Sequence, residues 1–382
     1  MSSFCIVFLV GFAGFISAAD NWVASLLLPD ISSSFDTNIS QASVILTAYL
    51  IPYGIMQPVY GYYSDIYNRK KILQILMFLL GVATLLCSIA GSILSLTIFR
   101  FIAGFFAAGI ISVSLGILGQ FFEKDTLTKL VGIFLGFIFL GQGISSGIGG
   151  WLIEISSWRK IFLIFSALSF ISFLLIFKLP SKSAQGKINA LLPSIFSLLK
   201  DSHLLQIYFL AFCNGFGVLG GYSFIGSYLS KSLNIGYLYV GFGLMLFGLI
   251  CFITGLVNRT LSGKLPQKQI LPAGFICSLC SLLLLASHNI YLTYIAIILL
   301  GMGYVLVQSI LASRALDLAG GNKGLSSGLI GVGIFGGGGI GTWLGSMILN
   351  IGGYINLFLF FAGLIIIPLL VLSFSRKNWL VS

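Results

Sequence analysis

The sequence predicts an all-α integral membrane protein with twelve transmembrane helices in two pseudo-symmetric six-helix bundles, and three observations predict it. Charge is scarce: 8% of the 382 residues are charged and 58% are hydrophobic, whereas a soluble domain carries about 25% charged residues. So few charges cannot cover the exterior of a chain this size, so most of it must face lipid. The apolar runs are near-continuous and about twenty residues long, which suits membrane helices and not the roughly ten alternating residues of a barrel strand. Finally, the basic residues sort by side once the runs are placed.

The first six apolar windows fall at residues 4–28, 42–62, 72–91, 94–119, 128–152 and 159–178. The second six fall at 204–229, 236–257, 270–287, 290–312, 325–349 and 354–374. Window 1 lacks a basic leader and continues through Asp20 and Trp22 to Pro29, so it reads as a retained span and not a signal peptide. The most polar stretch, residues 179–203 with Pro180, Lys182, Lys187, Lys200 and Asp201, reads as a cytoplasmic linker between a bundle at 1–178 and a second at 204–382. With both termini cytoplasmic, sixteen of the 20 Lys and Arg lie in inside loops, and only Arg159, Lys160 and Lys231 lie outside. The remaining one, Arg100, lies within span 4. Cytoplasmic loops collect basic residues, so the alternation and the charge split support each other, and they place the chain in the cytoplasmic (inner) membrane.

That topology also accounts for the net charge of +11. The basic residues are scattered over separate loops, which argues against nucleic-acid binding. Cys277 and Cys280 form a CxxC without a second pair or a nearby His, and His203 and His288 lie in separate halves, so neither a metal nor a cofactor is expected. A multi-pass enzyme would need a catalytic cluster at one membrane face. The nearest candidate, Glu154 with Arg159, is more simply a loop salt bridge. No Walker A sequence is present, which argues against ATP-driven pumping by this chain.

After span 2 comes Gly61-Tyr62-Tyr63-Ser64-Asp65-Ile66-Tyr67-Asn68-Arg69-Lys70-Lys71. A membrane anchor explains the basic triplet but neither Gly61 nor Asp65. The segment resembles the loop between helices 2 and 3 of the major facilitator superfamily, GxxxDxxGRR, at Gly61, Asp65, Arg69 and Lys70. Asn68 stands where that family usually has glycine, and Asn tolerates a left-handed turn. Two further segments resemble the superfamily branch that exchanges drugs for protons. Arg100 to Ala108 in span 4 is similar to RxxQGxGAA, with Ala103 and Phe106 as departures. Span 5 carries Gly132, Gly141, Gly149 and Gly150 at the antiporter glycine spacing, with Ser145-Ser146 in place of Gly-Pro. Asp20 to Ile31 resembles the first-helix segment of the same branch, and Gly255, Arg259 and Gly263-Lys264 weakly echo the first loop 194 residues on, as two related halves would. The resemblance implies the major facilitator fold, a central cavity among helices 1, 4, 7 and 10, and a gate that in the closed-inside state sets Asp65 near the start of span 11 around Gly324 to Ser327 while Arg69 bonds across the interface, a latch that breaks for the cavity to open inward. The tetraglycine Gly336 to Gly339 is expected to pack against span 5.

Only Asp20 among the acids and Arg100 among the bases sit well inside spans. Burying such a charge at mid-membrane costs about 2.5–3.5 kcal/mol, so each should face a cavity or a partner. Counted at 1.5 Å per residue, Asp20 lies about 12 Å and Arg100 about 9 Å from the outer span ends. The matching depths nominate Asp20 as a protonatable switch and cation contact controlled by Arg100, since a cation and burial act in opposite senses on a carboxylate's hold on its proton. A static pair fixing span 1 to span 4 is the alternative. Candidate lining residues are Asn21, Trp22, Tyr53, Gln57, Gln142, Asn214, Tyr222 and Gln308, together with Tyr49. The expected function is secondary active transport by a monomer, by alternating access, exporting small lipophilic or cationic compounds against protons. Proton-coupled uptake or exchange of a small metabolite is the alternative.

Overall fold

The computed structural model describes residues 3–181, 191–261, 265–319 and 323–374. Among these residues eleven helices are long and apolar enough to cross a membrane. In chain order they are α1 (Ser3–Ser34), α2 (Ile39–Ser64), α3 (Arg69–Ser88), α4 (Ile93–Phe121), α5 (Lys129–Ile155), α6 (Trp158–Ile176), α7 (Ser202–Ser232), α8 (Tyr237–Asn258), α9 (Gln267–Leu285), α10 (Ile290–Leu318) and α11 (Gly324–Phe374). The first ten coincide with the first ten apolar windows. Helix α11 takes in the last two: at 51 residues it far exceeds the roughly 20 needed to cross a bilayer. Gly353 interrupts it with φ 69 and ψ −173, a left-handed φ that glycine adopts without a Cβ penalty.

Short polar side chains start many of these helices by accepting hydrogen bonds from otherwise orphaned N–H groups. The Asp201 carboxylate accepts from the His203 and Leu204 amides at the start of α7, and Asn289 accepts from those of Tyr291 and Leu292 at the start of α10. A Ser92/Ser95 capping box opens α4. Residues 182–190 of the linker lie outside the described part. The rest of that segment is less polar than its composition suggests, because Leu191–Leu199 forms a short helix with Leu198 buried.

Within the first half α1 packs on α5 and α6, α2 on α4, and α3 on α4 and α6; within the second, α7 packs on α10 and α11, α8 on α10, and α9 on α10 and α11. The halves meet along two seams, α2 against α11 and α5 against α8. Glycine makes both seams possible, since small residues let helix backbones approach closely in a membrane. A side-chain carbon on Gly248 would lie 2.6 Å from the Gly143 Cα, one on Gly54 2.8 Å from the Gly336 nitrogen, and one on Gly328 2.5 Å from the Pro58 Cα. Large apolar side chains such as Leu174, Ile253 and Trp343 stay exposed around the perimeter, as a lipid-facing surface requires.

The buried apolar core shows where the halves part. At the end holding the linker helix and the α2–α3 turn, the first half keeps a core of its own, built from the start of α1 (Ile6 to Ile16), the end of α4 (Ala103 to Leu118) and the end of α6 (Ile176). At the distal end, Val23 to Ile31 and Trp158 to Phe165 merge into one core with the second half. There Gly226 of α7 abuts the Ser25 carbonyl, and the Glu154 carboxylate accepts from the Leu238 amide at the start of α8. Glu154 therefore ties the halves together, whereas Arg159 donates to the Ala90 carbonyl and lies over the Trp158 ring. The expected Glu154–Arg159 loop bridge is replaced by these two separate contacts.

Candidate functional site

Between the halves lies a cavity of about 220 Å³, at the end where their cores are separate. Each helix that lines it contributes residues at helical spacing: Ala18, Asn21 and Trp22 from α1, Tyr53 and Gln57 from α2, Phe139 and Gln142 from α5, and Tyr304, Gln308 and Ala312 from α10. Residues three, four and eight apart share one helix face. Helices α4 and α11 complete the wall with Ile111, Leu115, Ser327 and Phe335 among others. Aromatic walls are held by ring contacts. Tyr53 meets Phe335 edge-on at 4.5 Å, and Trp22 meets Tyr222 edge-on at 4.8 Å with Phe247 at 5.9 Å.

Six of the expected lining residues therefore come together here: Asn21, Trp22, Tyr53, Gln57, Gln142 and Gln308. Tyr222 instead lines a second, much smaller space of about 20 Å³ on the distal side, which it shares with Asn21, Trp22 and Ser223. Asn214 reaches neither space; it is fully buried and donates to the Tyr304 carbonyl at 3.4 Å, bonding α7 to α10. Tyr304, Phe139 and Ser327 were missed. Tyr304 had a signal, since it stands one helical turn before Gln308 on an apolar helix.

Asp20 and Arg100 meet: Arg100 Nη1 donates to Asp20 Oδ2 at 3.0 Å and to the Asp20 carbonyl at 3.2 Å, while Thr84 Oγ1 donates to Asp20 Oδ1 at 3.2 Å. The guanidinium carbon lies 4.0 Å from the Tyr49 ring centroid and 5.4 Å from that of Phe162. Both charged side chains are 0% exposed, and neither lines the cavity. The expectation that both project into an aqueous chamber is corrected by helical phase. At about 100° per residue, Asp20 points some 200° away from Ala18 and from Trp22, the cavity-facing residues two positions to either side. The pair therefore belongs to the interior of the first half, one residue from the wall and turned away from it.

The turn after α2 also differs in detail. Asn68 has φ −64 and ψ 108 and accepts from the Lys71 amide, so it is an N-cap of α3 and not a left-handed glycine substitute. Lys70 Nζ donates to the carbonyls of Phe177 (2.9 Å) and Leu179 (2.6 Å), binding the end of α6 within its own half and not across the interface. The Arg69 side chain lies over Gly116 of α4, where a side-chain carbon would meet its Nε at 2.8 Å. Gly61 faces α11, where a side-chain carbon on it would lie 3.8 Å from the Gly324 carbonyl oxygen. The Asp65 and Arg259 side chains, and Gly263-Lys264, lie outside the described residues.

Three of the four glycines noted in span 5 are packing residues. Gly141 abuts the Phe15 carbonyl and Gly149 abuts Val23, both of α1, while Gly150 abuts Gly241 of α8. Gly132 has open space beside it. The tetraglycine packs against α7 through Gly337 and Gly338 and against α2 through Gly339, not against span 5.

A cavity between two helical halves, closed at one end and walled by carboxamides and aromatics, is the arrangement of a solute carrier. Comparison with known proteins agrees. The chain is 28% identical over 270 residues to the uncharacterized MFS-type transporter YceJ of Bacillus subtilis, covering 69% of this chain and 68% of that one. It is 24% identical over 355 residues to the probable sulfoacetate transporter SauU of Cupriavidus necator, with 84% and 81% covered. Among solved structures, a mutant of the nucleoside transporter NupG superposes with a TM-score of 0.81 over 97% of this chain and 100% of that one, at 12% identity. The family model of the Major Facilitator Superfamily matches residues 10–342, and the chain belongs to that superfamily of membrane transporters.

Proposed function

We propose that the chain is a proton-coupled secondary transporter that exports small lipophilic compounds by alternating access, with twelve spans in two related halves, 1–178 and 204–382. The observation that carries this reading is the cavity itself: it lies between the halves at the linker end, while a continuous core seals the distal end. With the linker and both termini in the cytoplasm, as the basic residues suggest, this is an inward-facing arrangement in the cytoplasmic membrane. Breaking α11 at Gly353 supports the count of twelve. The motif likenesses in spans 4 and 5 support export, and 25% identity over 188 residues, 49% of this chain and 35% of that one, to the multidrug transporter protein MdtP of Bacillus subtilis supports a drug-like cargo. A cationic cargo has less support, because Asp20 is turned from the cavity and satisfied by Arg100 and Thr84.

In this reading Asp20 and Arg100 couple proton movement to the position of α1, which carries Asn21 and Trp22 in the cavity wall. The turn holding Gly61, Asp65, Arg69 and Lys70 gates the linker end where α2 meets α11. Purified protein in lipid vesicles with an imposed pH gradient tests the whole. With the membrane potential clamped to zero, a test solute should accumulate only while the gradient lasts, and accumulation independent of the gradient would sink proton coupling. In the same assay Asp65→Asn is expected to lower turnover by about tenfold and leave equilibrium binding near wild type. Loss of binding with turnover per bound solute intact would remove the gate.

A further inference from the structure

The cavity wall is polar without being charged. Among its described residues none is ionised at neutral pH, yet Asn21, Gln57, Gln142 and Gln308 bring four carboxamides into it. Two of these are unspent. Gln142 is 1% exposed, and its Nε2 has no hydrogen-bond partner; the buried Oε1 of Gln308 likewise has none. A buried amide left unpaired is costly, so two such amides in the wall of a space large enough for a solute point to a bound partner that completes them once their side chains turn toward it. The two open positions are a donor and an acceptor.

Net charge on the cargo would be penalised. An ion leaving water for this wall finds dipoles but no counter-charge among the described lining residues, and the buried ions of α1 and α4, Asp20 and Arg100, are committed to each other behind α1. The aromatic rings could offer a cation some attraction, but Trp22 is held against Tyr222 and Phe247, and Tyr53 against Phe335. Ring contact of that kind suits a flat neutral body instead.

We infer that this cavity selects small, flat compounds without net charge that carry a hydrogen-bond donor beside an acceptor, as an amide- or lactam-bearing heteroaromatic does, and that Gln142 and Gln308 read that edge. This rests on the cavity being the transport site and names its substrate class.

Matched probes test it. Nicotinamide is neutral with both functions, 3-acetylpyridine is neutral without the donor, 1-methylnicotinamide is a cation and nicotinate an anion. The quinoline homologues give a second set of larger size. Binding to the full chain in lipid nanodiscs is measured by equilibrium dialysis. In at least one set the carboxamide should bind about tenfold or more tighter than its three relatives, and Gln142→Leu should remove most of that preference while the unliganded melting temperature holds. A cation or anion binding as tightly as the carboxamide, or a carboxamide that binds in neither set, overturns the inference. Ala312→Trp, which fills the cavity, separates the two levels. Carboxamide preference that survives this change means the compound binds elsewhere, and the transport-site reading fails. Binding that disappears with it, but had been indifferent to charge, overturns the substrate class alone.

Discussion

Vesicles carrying Asp20→Asn are expected to move solute under a pH gradient at about a tenth or less of the wild-type rate, while equilibrium binding stays within about threefold. The asparagine keeps the shape of Asp20, its one amide oxygen accepting from Arg100 while its amide nitrogen donates to the Thr84 hydroxyl oxygen, so packing survives, but it cannot exchange a proton. Arg100 separates this outcome from a purely structural one. Its Nη1 serves both the Asp20 carboxylate and the Asp20 backbone carbonyl, whereas Nε and Nη2 have no partner. Arg100→Ala leaves a buried carboxylate without its counter-charge and Asp20→Asn leaves a buried guanidinium without one; removing one partner of such a pair costs about 3–5 kcal/mol, so each single change should lower the melting temperature. Pairing the two changes should restore most of the stability without restoring gradient-driven flux. Wild-type pH dependence in Asp20→Asn would leave the pair as a fixed link between α1 and α4.

A second large effect is expected at the α5–α8 seam. Valine at Gly248 would place its first side-chain carbon 2.6 Å from the backbone of Gly143, and backbone cannot swing aside as a side chain can. Overpacking of this kind costs about 1–3 kcal/mol, enough to shift a two-state balance by about 5- to 150-fold. Gly248→Val should therefore disfavour the closed distal end. Thiol labelling of Ser223→Cys, placed in the small distal space in a background without the native cysteines, should accelerate accordingly. Gly132→Val, with open space beside it, serves as the control that should change nothing. Equal labelling in both variants would show that the seam carries no conformational bias.

Most of the helices were legible because lipid imposes a strict rule on apolar run length. Ten windows coincide with ten helices, and the discrepancy at α11 comes from Gly353, where a single backbone conformation sets the break. Within the site, polar residues stranded in apolar helices were good pointers: Gln57, Gln142 and Gln308 all reach the cavity. Direction around the helix was not legible in the same way. Asp20, Asn21 and Trp22 are consecutive, and hydrophobicity is so uniform along α1 that no periodic signal tells which faces outward. That is why Asp20 was expected in the chamber and lies behind it. Asn214 failed for a related reason, since an interhelical hydrogen bond and a ligand contact call for the same residue type. Arg69 to Lys71 could be read as charge but not as wiring, because the partners of Lys70 are main-chain carbonyls more than a hundred residues away.

The uncharged wall of the cavity also bears on energetics. If cargo without net charge is exchanged for protons, every proton carried moves a full charge across the membrane and nothing on the cargo offsets it. Each such charge is worth about 2.3 kcal/mol per 100 mV of membrane potential. The voltage would then drive the cycle alongside the pH difference, and the carrier would keep working in a cell whose internal and external pH are equal.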